Sequence, residues 1–255
     1  MPDAACGVVA CTFVAPILPR VLSPRFQTGT TTGQRQPDAD SGGTHVDILL
    51  LVDLQHDFLP GGALPVIDGD QVIAVANRLQ PHFTETLATQ DWHPRDHASF
   101  AANQPGRRIG EVIDLDGLSQ ILWPVHCVQE STGAAFASQL DTKRIRRIFP
   151  KGTDPRIDSY SGFFDNGGKQ ATGLSEYLQQ RAVRQLFVMG LATDYCVQFT
   201  VLDALQLGFD TALVVDGCRG VNQHPGDSDT AIQAMTAAGV TVMSSEQVMR
   251  SRQQA

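Results

Sequence analysis

Residues 46 to 53 read Val-Asp-Ile-Leu-Leu-Leu-Val-Asp, a short run that is apolar at almost every position and closes on a carboxylate. A strand with one wet face would alternate polar and apolar residues. A strand that is apolar throughout needs cover on both faces, as in a parallel sheet with helices on either side. This run therefore favours an α/β chain over an all-β or all-α one.

The rest of the chain follows the same alternation. Residues 55 to 69 form a loop with Pro60, Gly61, Gly62 and Pro65, and an amphipathic helix is expected near 69 to 80 on Val72, Ile73, Val75, Ala76 and Leu79. Strands are expected at 85 to 91, 144 to 150, 185 to 190, 211 to 216 and 240 to 243, with helices near 172 to 181, after Cys196 and at 227 to 238. Asp227 reads as the cap of the last helix. Residues 92 to 130 read as largely irregular, and no internal repeat is present. The expected fold is α/β and doubly wound: a mostly parallel six-stranded sheet with helices on both faces.

Composition narrows the function classes. The 255 residues carry 19 Lys and Arg against 27 Asp and Glu, a net charge of −8, with no basic run. That argues against nucleic acid as a partner. No apolar stretch is long enough for a membrane span. The five cysteines (Cys6, Cys11, Cys127, Cys196 and Cys218) are odd in number and contain no C-x-x-C pair. Neither a disulfide framework nor a zinc ribbon is indicated, and a reducing, cytoplasmic setting is the simplest expectation. Residues 6 to 18 have the apolarity of a signal-peptide core, but Asp3 precedes them and no Lys or Arg does. Arg20, Arg25 and Arg35 leave a transit peptide as an alternative. Residues 27 to 44 read as a linker. We expect residues 1–44 to be a disordered extension and residues 45–255 to form the folded α/β domain.

In a doubly wound sheet, ligands bind beyond the carboxyl ends of the strands. Asp53, Asp91, Lys151 and Cys196 all fall at or just past expected strand ends, so they converge on one edge. Cys196 also falls in the first turn of a helix, where unpaired N–H groups favour a thiolate. Asp53 supplies a base and Lys151 a cation for such a nucleophile. A second set is Asp91-Trp92-His93, then His97, then His126 in Trp-Pro-Val-His-Cys. Asp and His two apart on an extended segment face the same side. Two imidazoles and one carboxylate suit Zn, Fe or Mn with open positions. Cys127 is expected to point away from that metal.

Five ordered blocks, LLLVDLQHDFLPGGALPV, ATQDWHPRDHASFA, LWPVHCVQ, KGTDPRIDSYSGFF and VMGLATDYCVQFTVLDALQLGF, resemble the nicotinamidase/pyrazinamidase branch of the isochorismatase-like cysteine hydrolases over roughly residues 46 to 245. The resemblance implies Cys196 as nucleophile, Asp53 as general base and Lys151 as supporting cation. It implies one divalent metal on Asp91, His93 and His126, with His97 a further ligand in some members and not in others. It implies a cis peptide between Leu191 and Ala192, an oxyanion site of the Ala192 and Cys196 N–H groups, and an aromatic clamp of Phe58, Trp123 and Tyr160. The implied reaction is hydrolysis of nicotinamide, and of pyrazinamide if the pocket admits it, to the acid and ammonia through a thioester, as in NAD salvage. The alternative is a related amidase acting on another small amide, ureide or carbamoyl compound. The expected partner is a small-molecule substrate, and the sequence leaves a homo-oligomer open.

Overall fold

A computed structural model describes residues 46–253; the expectations for residues 1–44 lie outside the described residues. Six strands form the main sheet: β1 (Val46–Val52), β2 (Glu85–Asp91), β5 (Ile145–Lys151), β6 (Val183–Leu191), β7 (Asp210–Arg219) and β8 (Thr241–Met243). Their order is β5-β2-β1-β6-β7-β8, and every neighbouring pair is parallel. Two further strands, β3 (Val112–Leu115) and β4 (Leu118–Ile121), make a separate antiparallel hairpin inside the region expected to be irregular.

β1 is central, and Ile48 to Val52 are fully buried, as an uninterrupted apolar run requires. β5 lies at the edge and exposes Arg146, Arg147, Ile148 and Pro150. Charge and proline suit an edge, because they discourage further strand pairing.

The helices are α1 (Gln71–Leu79), α2 (Leu174–Gln180), α3 (Gln198–Gln206), α4 (Asp227–Ala237) and α5 (Ser245–Gln253). Val72, Val75, Ala76 and Leu79 recur at helical spacing and bury one stripe of α1. The chain winds outward from β1 through β2 to β5, then returns and winds the other way from β6 through β7 to β8. Right-handed crossovers in opposite directions put their helices on opposite faces. In accord, α1 packs on α5 while α3 packs on α4. The last helix is entered through Gly226, not Asp227, which is already its first residue and makes no capping bond. The Asp227 carboxylate instead accepts the His224 N–H at 2.8 Å.

The order reverses between β1 and β6, and there the two strands approach closely. A Cβ on Gly190, whose φ is 135°, would lie 2.1 Å from the Val52 carbonyl oxygen. Only glycine fits, so this residue sets how near the chain ends carrying Asp53 and Cys196 come to each other. A crevice at such a reversal is where open α/β sheets bind ligands.

Candidate active site

Four strands deliver the charged groups. Asp53 follows β1 directly, Asp91 ends β2, Lys151 ends β5, and Cys196 sits in the turn after β6. Asp91 and Lys151 are register partners across β2 and β5, so their meeting follows from strand pairing. Asp53 has φ 51°, a left-handed conformation that costs an L-residue of this kind about 1–2 kcal/mol. Such strain persists where the surroundings hold it. Thr89 of β2 does so here, its hydroxyl donating to Asp53 Oδ1 at 2.6 Å.

Lys151 is the hub. Its Nζ lies 2.9 Å from Asp53 Oδ2 and 3.3 Å from Cys196 Sγ, donates to the Ser159 carbonyl at 2.9 Å, and pairs closely with Asp91. One carboxylate oxygen each from Asp53 and Asp91 and the Cys196 sulfur lie within 4.8 Å of one another. All four side chains are buried. Burial alone would discharge Lys151, but Asp53 and Asp91 hold its pKa well above the ordinary lysine value. Burial raises Asp53; Lys151 opposes the rise without cancelling it. Burial acts on Asp91 too, yet Lys151 and His93 keep it well below the usual carboxylate range.

The surroundings of Cys196 oppose the thiolate that a helix start favours. Burial pushes the Cys196 thiol well above its ordinary value; Lys151 pulls the other way, while Asp53 and Asp91 add to the rise. The helix terminus is also different from the one expected. Thr193–Val197 is a π-helical turn ahead of α3, and the Ala192 carbonyl accepts both the Tyr195 and Val197 N–H groups at 3.1 Å. Burial thus favours the neutral thiol of Cys196, and a carboxylate oxygen of Asp53 lies within 4.8 Å of its sulfur. The Leu191–Ala192 peptide is cis.

The second set also assembles. Ligand atoms of Asp91, His93 and His126 lie within 4.8 Å of one another. His93 Nδ1 meets the Gly152 carbonyl at 2.9 Å, and His126 Nδ1 meets the Pro124 carbonyl at 2.8 Å. A carbonyl only accepts, so each Nδ1 carries the proton and each Nε2 presents a lone pair. Those lone pairs face Asp91 Oδ2 at 3.4 and 3.7 Å. His93 Nε2 is buried without a hydrogen-bond partner. Burial disfavours charge on His93, but Asp91 more than compensates and raises its pKa. A carboxylate and two aimed lone pairs call for positive charge at this point, which fits a divalent cation.

His97 lies beside this set, its ring 4.4 Å from that of His93, and groups instead with His93 and Asp158. Its Nδ1 contacts the Ser99 hydroxyl at 2.7 Å and the Ser99 N–H at 3.3 Å. Burial lowers its pKa to about 4. Cys127 stands outside the cluster, fully buried, with its thiol pushed up by burial.

A cavity joins the two sets. Cys196 and Ala192 form one wall, Asp91 and His126 its polar end, and Phe58, Trp123 and Tyr160 its aromatic sides. Trp123 Nε1 donates to the Tyr160 hydroxyl at 3.2 Å, which fixes that pair. Phe58 meets the His126 ring edge-on at 5.6 Å.

Several contributors went unread in the sequence. Tyr195, Leu64, Val221 and Asp158 also line the cavity. Tyr195 stacks edge-on against Trp123 at 5.0 Å, and an aromatic immediately before Cys196 was its one available signal. Gln55 clamps Asp91 through both amide atoms, accepting its N–H and donating to its carbonyl at 2.8 Å each. Asp194 accepts the Val221 and Asn222 N–H groups at 2.9 and 2.7 Å, tying the turn that carries Cys196 to that wall.

This fold belongs to a known class. Residues 47–247 match the isochorismatase domain, and the chain belongs to that family. Among its relatives, a nicotinamidase of Escherichia coli is 53% identical over 198 residues, covering 76% of this chain and 92% of the relative. Among solved structures, the nicotinamidase pyrazinamidease of Acinetobacter baumanii superposes with a TM-score of 0.77 at 41% identity, covering 80% of this chain and 98% of that one. The pyrazinamidase of Pyrococcus horikoshii in complex with zinc gives a TM-score of 0.63 at 34% identity, over 78% of this chain and 98% of that one.

Proposed function

We propose that this chain hydrolyses nicotinamide to nicotinic acid and ammonia, the amide-cleaving step of NAD salvage, with Cys196 as nucleophile. The observation that carries the reading is the contact of Lys151 with Asp53 at 2.9 Å and with Cys196 at 3.3 Å, at the wall of an aromatic-sided cavity. The relatives' activities point to the same substrate class.

Asp53 takes the proton of the Cys196 thiol as the sulfur attacks the amide carbon. Lys151 stays charged and balances the carboxylates and the developing thiolate. The Ala192 and Cys196 N–H groups hold the tetrahedral oxyanion; one such donor is worth about 3 kcal/mol. Collapse breaks the C–N bond, and Asp53 returns the proton to the departing ammonia. Water then adds to the thioester with Asp53 as base, nicotinic acid leaves, and the thiol is restored. Phe58, Trp123 and Tyr160 clamp the ring and exclude water.

Asp91, His93 and His126 would hold the divalent cation, with His97 supporting His93 from the side. Zinc is our assignment: a carboxylate and two imidazole nitrogens suit it, and it is the ion bound by the Pyrococcus horikoshii relative. Bound there, such a cation would supply Lewis acidity at the polar end of the cavity. The three described cysteines are free thiols, which suits the reducing cytoplasm.

Ammonia release from nicotinamide by the purified protein, before and after chelation, tests the reading. Activity with nicotinamide, its loss on chelation and its absence in Cys196→Ala are expected. Turnover of ureides or carbamoyl compounds but not nicotinamide would overturn the substrate; robust turnover by Cys196→Ala would overturn the chemistry.

A further inference from the structure

We propose that Asp57 is a positioning residue that locks the aromatic wall of the cavity to the loop carrying His126, so that metal retention and substrate binding fail together when it is lost. The proposal rests on the reading of His126 as a metal ligand. Asp57 does not line the cavity itself; it acts through its neighbours on three segments.

The carboxylate has two N–H donors, one on each oxygen. Cys127 donates to Oδ2 at 2.7 Å and Ala63 to Oδ1 at 3.2 Å. The first donor is the residue directly after His126. Cys127 holds φ at 44°, a left-handed conformation unfavourable for a side chain of its kind. Its N–H is tied to Asp57, and its carbonyl accepts the His93 N–H at 3.0 Å. The Asp57 contact therefore holds the backbone on which His126 is aimed and to which His93 is attached.

The other contacts reach the substrate side. The Asp57 carbonyl accepts the Leu64 N–H at 2.9 Å, and Leu64 and the adjoining Phe58 both face the cavity. The Asp57 N–H donates to the Gly133 carbonyl at 3.0 Å. Gly133 gives independent support. A Cβ built there would lie 2.1 Å from Asp57 Oδ2 and 2.4 Å from Oδ1, so the loop after the ligand histidine makes room for this carboxylate.

Asp57→Asn isolates the charge. An amide accepts on one oxygen only, so it would serve Cys127 or Ala63 and turn an NH2 toward the other N–H. Gly133→Ala attacks the same contact from the opposite side. In the metal-loaded protein, each variant should release its metal to a chromophoric chelator about tenfold faster or more. The KM for nicotinamide should rise more than kcat falls, while iodoacetamide labels Cys196 near the wild-type rate. Combining the substitutions should add little beyond either alone, because they break one contact.

Metal release and thiol labelling need no substrate, so they judge this inference even if nicotinamide is not the substrate. Metal release at the wild-type rate in folded Asp57→Asn would overturn it. So would Cys196 labelling disturbed as strongly as metal release, or loss of cooperative unfolding in both variants, since either result would assign the carboxylate to general stability.

Discussion

The two rims of the sheet carry similar ion pairs in opposite surroundings. At the amino ends of β6 and β7, Arg184 and Asp210 meet at 3.1 Å with side chains 64% and 61% exposed. At the carboxyl ends, Lys151 and Asp53 meet at 2.9 Å with both side chains fully buried. Distance does not separate them; solvent does. An exposed pair is screened and contributes about 0–1 kcal/mol. A buried pair must overcome the desolvation of both ions, and it is a poor device for stability alone. The carboxyl rim holds two carboxylates, an ammonium and a thiol because its task is chemical.

The sharpest way to break this contrast is Lys151→Met. Removing the one cation strands Asp53 and Asp91 in a dry site, and loss of a buried partner of this kind costs about 3–5 kcal/mol. Urea unfolding should show that loss together with abolished ammonia release. A variant as stable as the parent would mean that water reaches the cluster.

A smaller effect is expected with alkali. Burial pushes Cys218 up to about 12 from the ordinary 9.0, and it lifts Cys127 and Cys196 in the same direction. The folded pKa values lie above the unfolded one. Their contribution to stability is therefore intact below pH 9, and for Cys218 it is lost as pH rises from there toward 12. Cys218 alone should cost about 1.4 kcal/mol per pH unit in that window. Urea midpoints measured from neutral pH into that range should fall accordingly; a flat profile would place the thiols in contact with solvent.

The smallest effect belongs to the amino rim. Arg184→Ala should change unfolding free energy by no more than about 1 kcal/mol and leave turnover intact. A larger change would erase the distinction between the rims.

Legibility in the sequence followed burial and local pattern. β1 could be read because its apolar run ends on Asp53, and Cys196 could be placed because an apolar strand precedes it. The β3–β4 hairpin was missed because its four-residue strands are half exposed and weakly patterned. α5 was missed because Ser245–Gln253 is mostly polar and buries only Ser245 and Val248. The helix start before Cys196 is visible locally, whereas the burial and the two carboxylates that push its thiol up come from other strands and are not. Gln55, Thr89 and Asp57 escaped for the same reason. Their partners lie 36, 36 and 70 residues away, and an isolated Gln, Thr or Asp carries no mark of what it will touch.

Acid-quenched peptide mass analysis during steady turnover of nicotinamide tests the chemistry of the carboxyl rim most directly. We predict a nicotinoyl group on the peptide containing Cys196, formed and discharged at rates consistent with ammonia release. Full-rate production of nicotinic acid with no acylated Cys196, or with the adduct on Cys127 instead, would contradict the account.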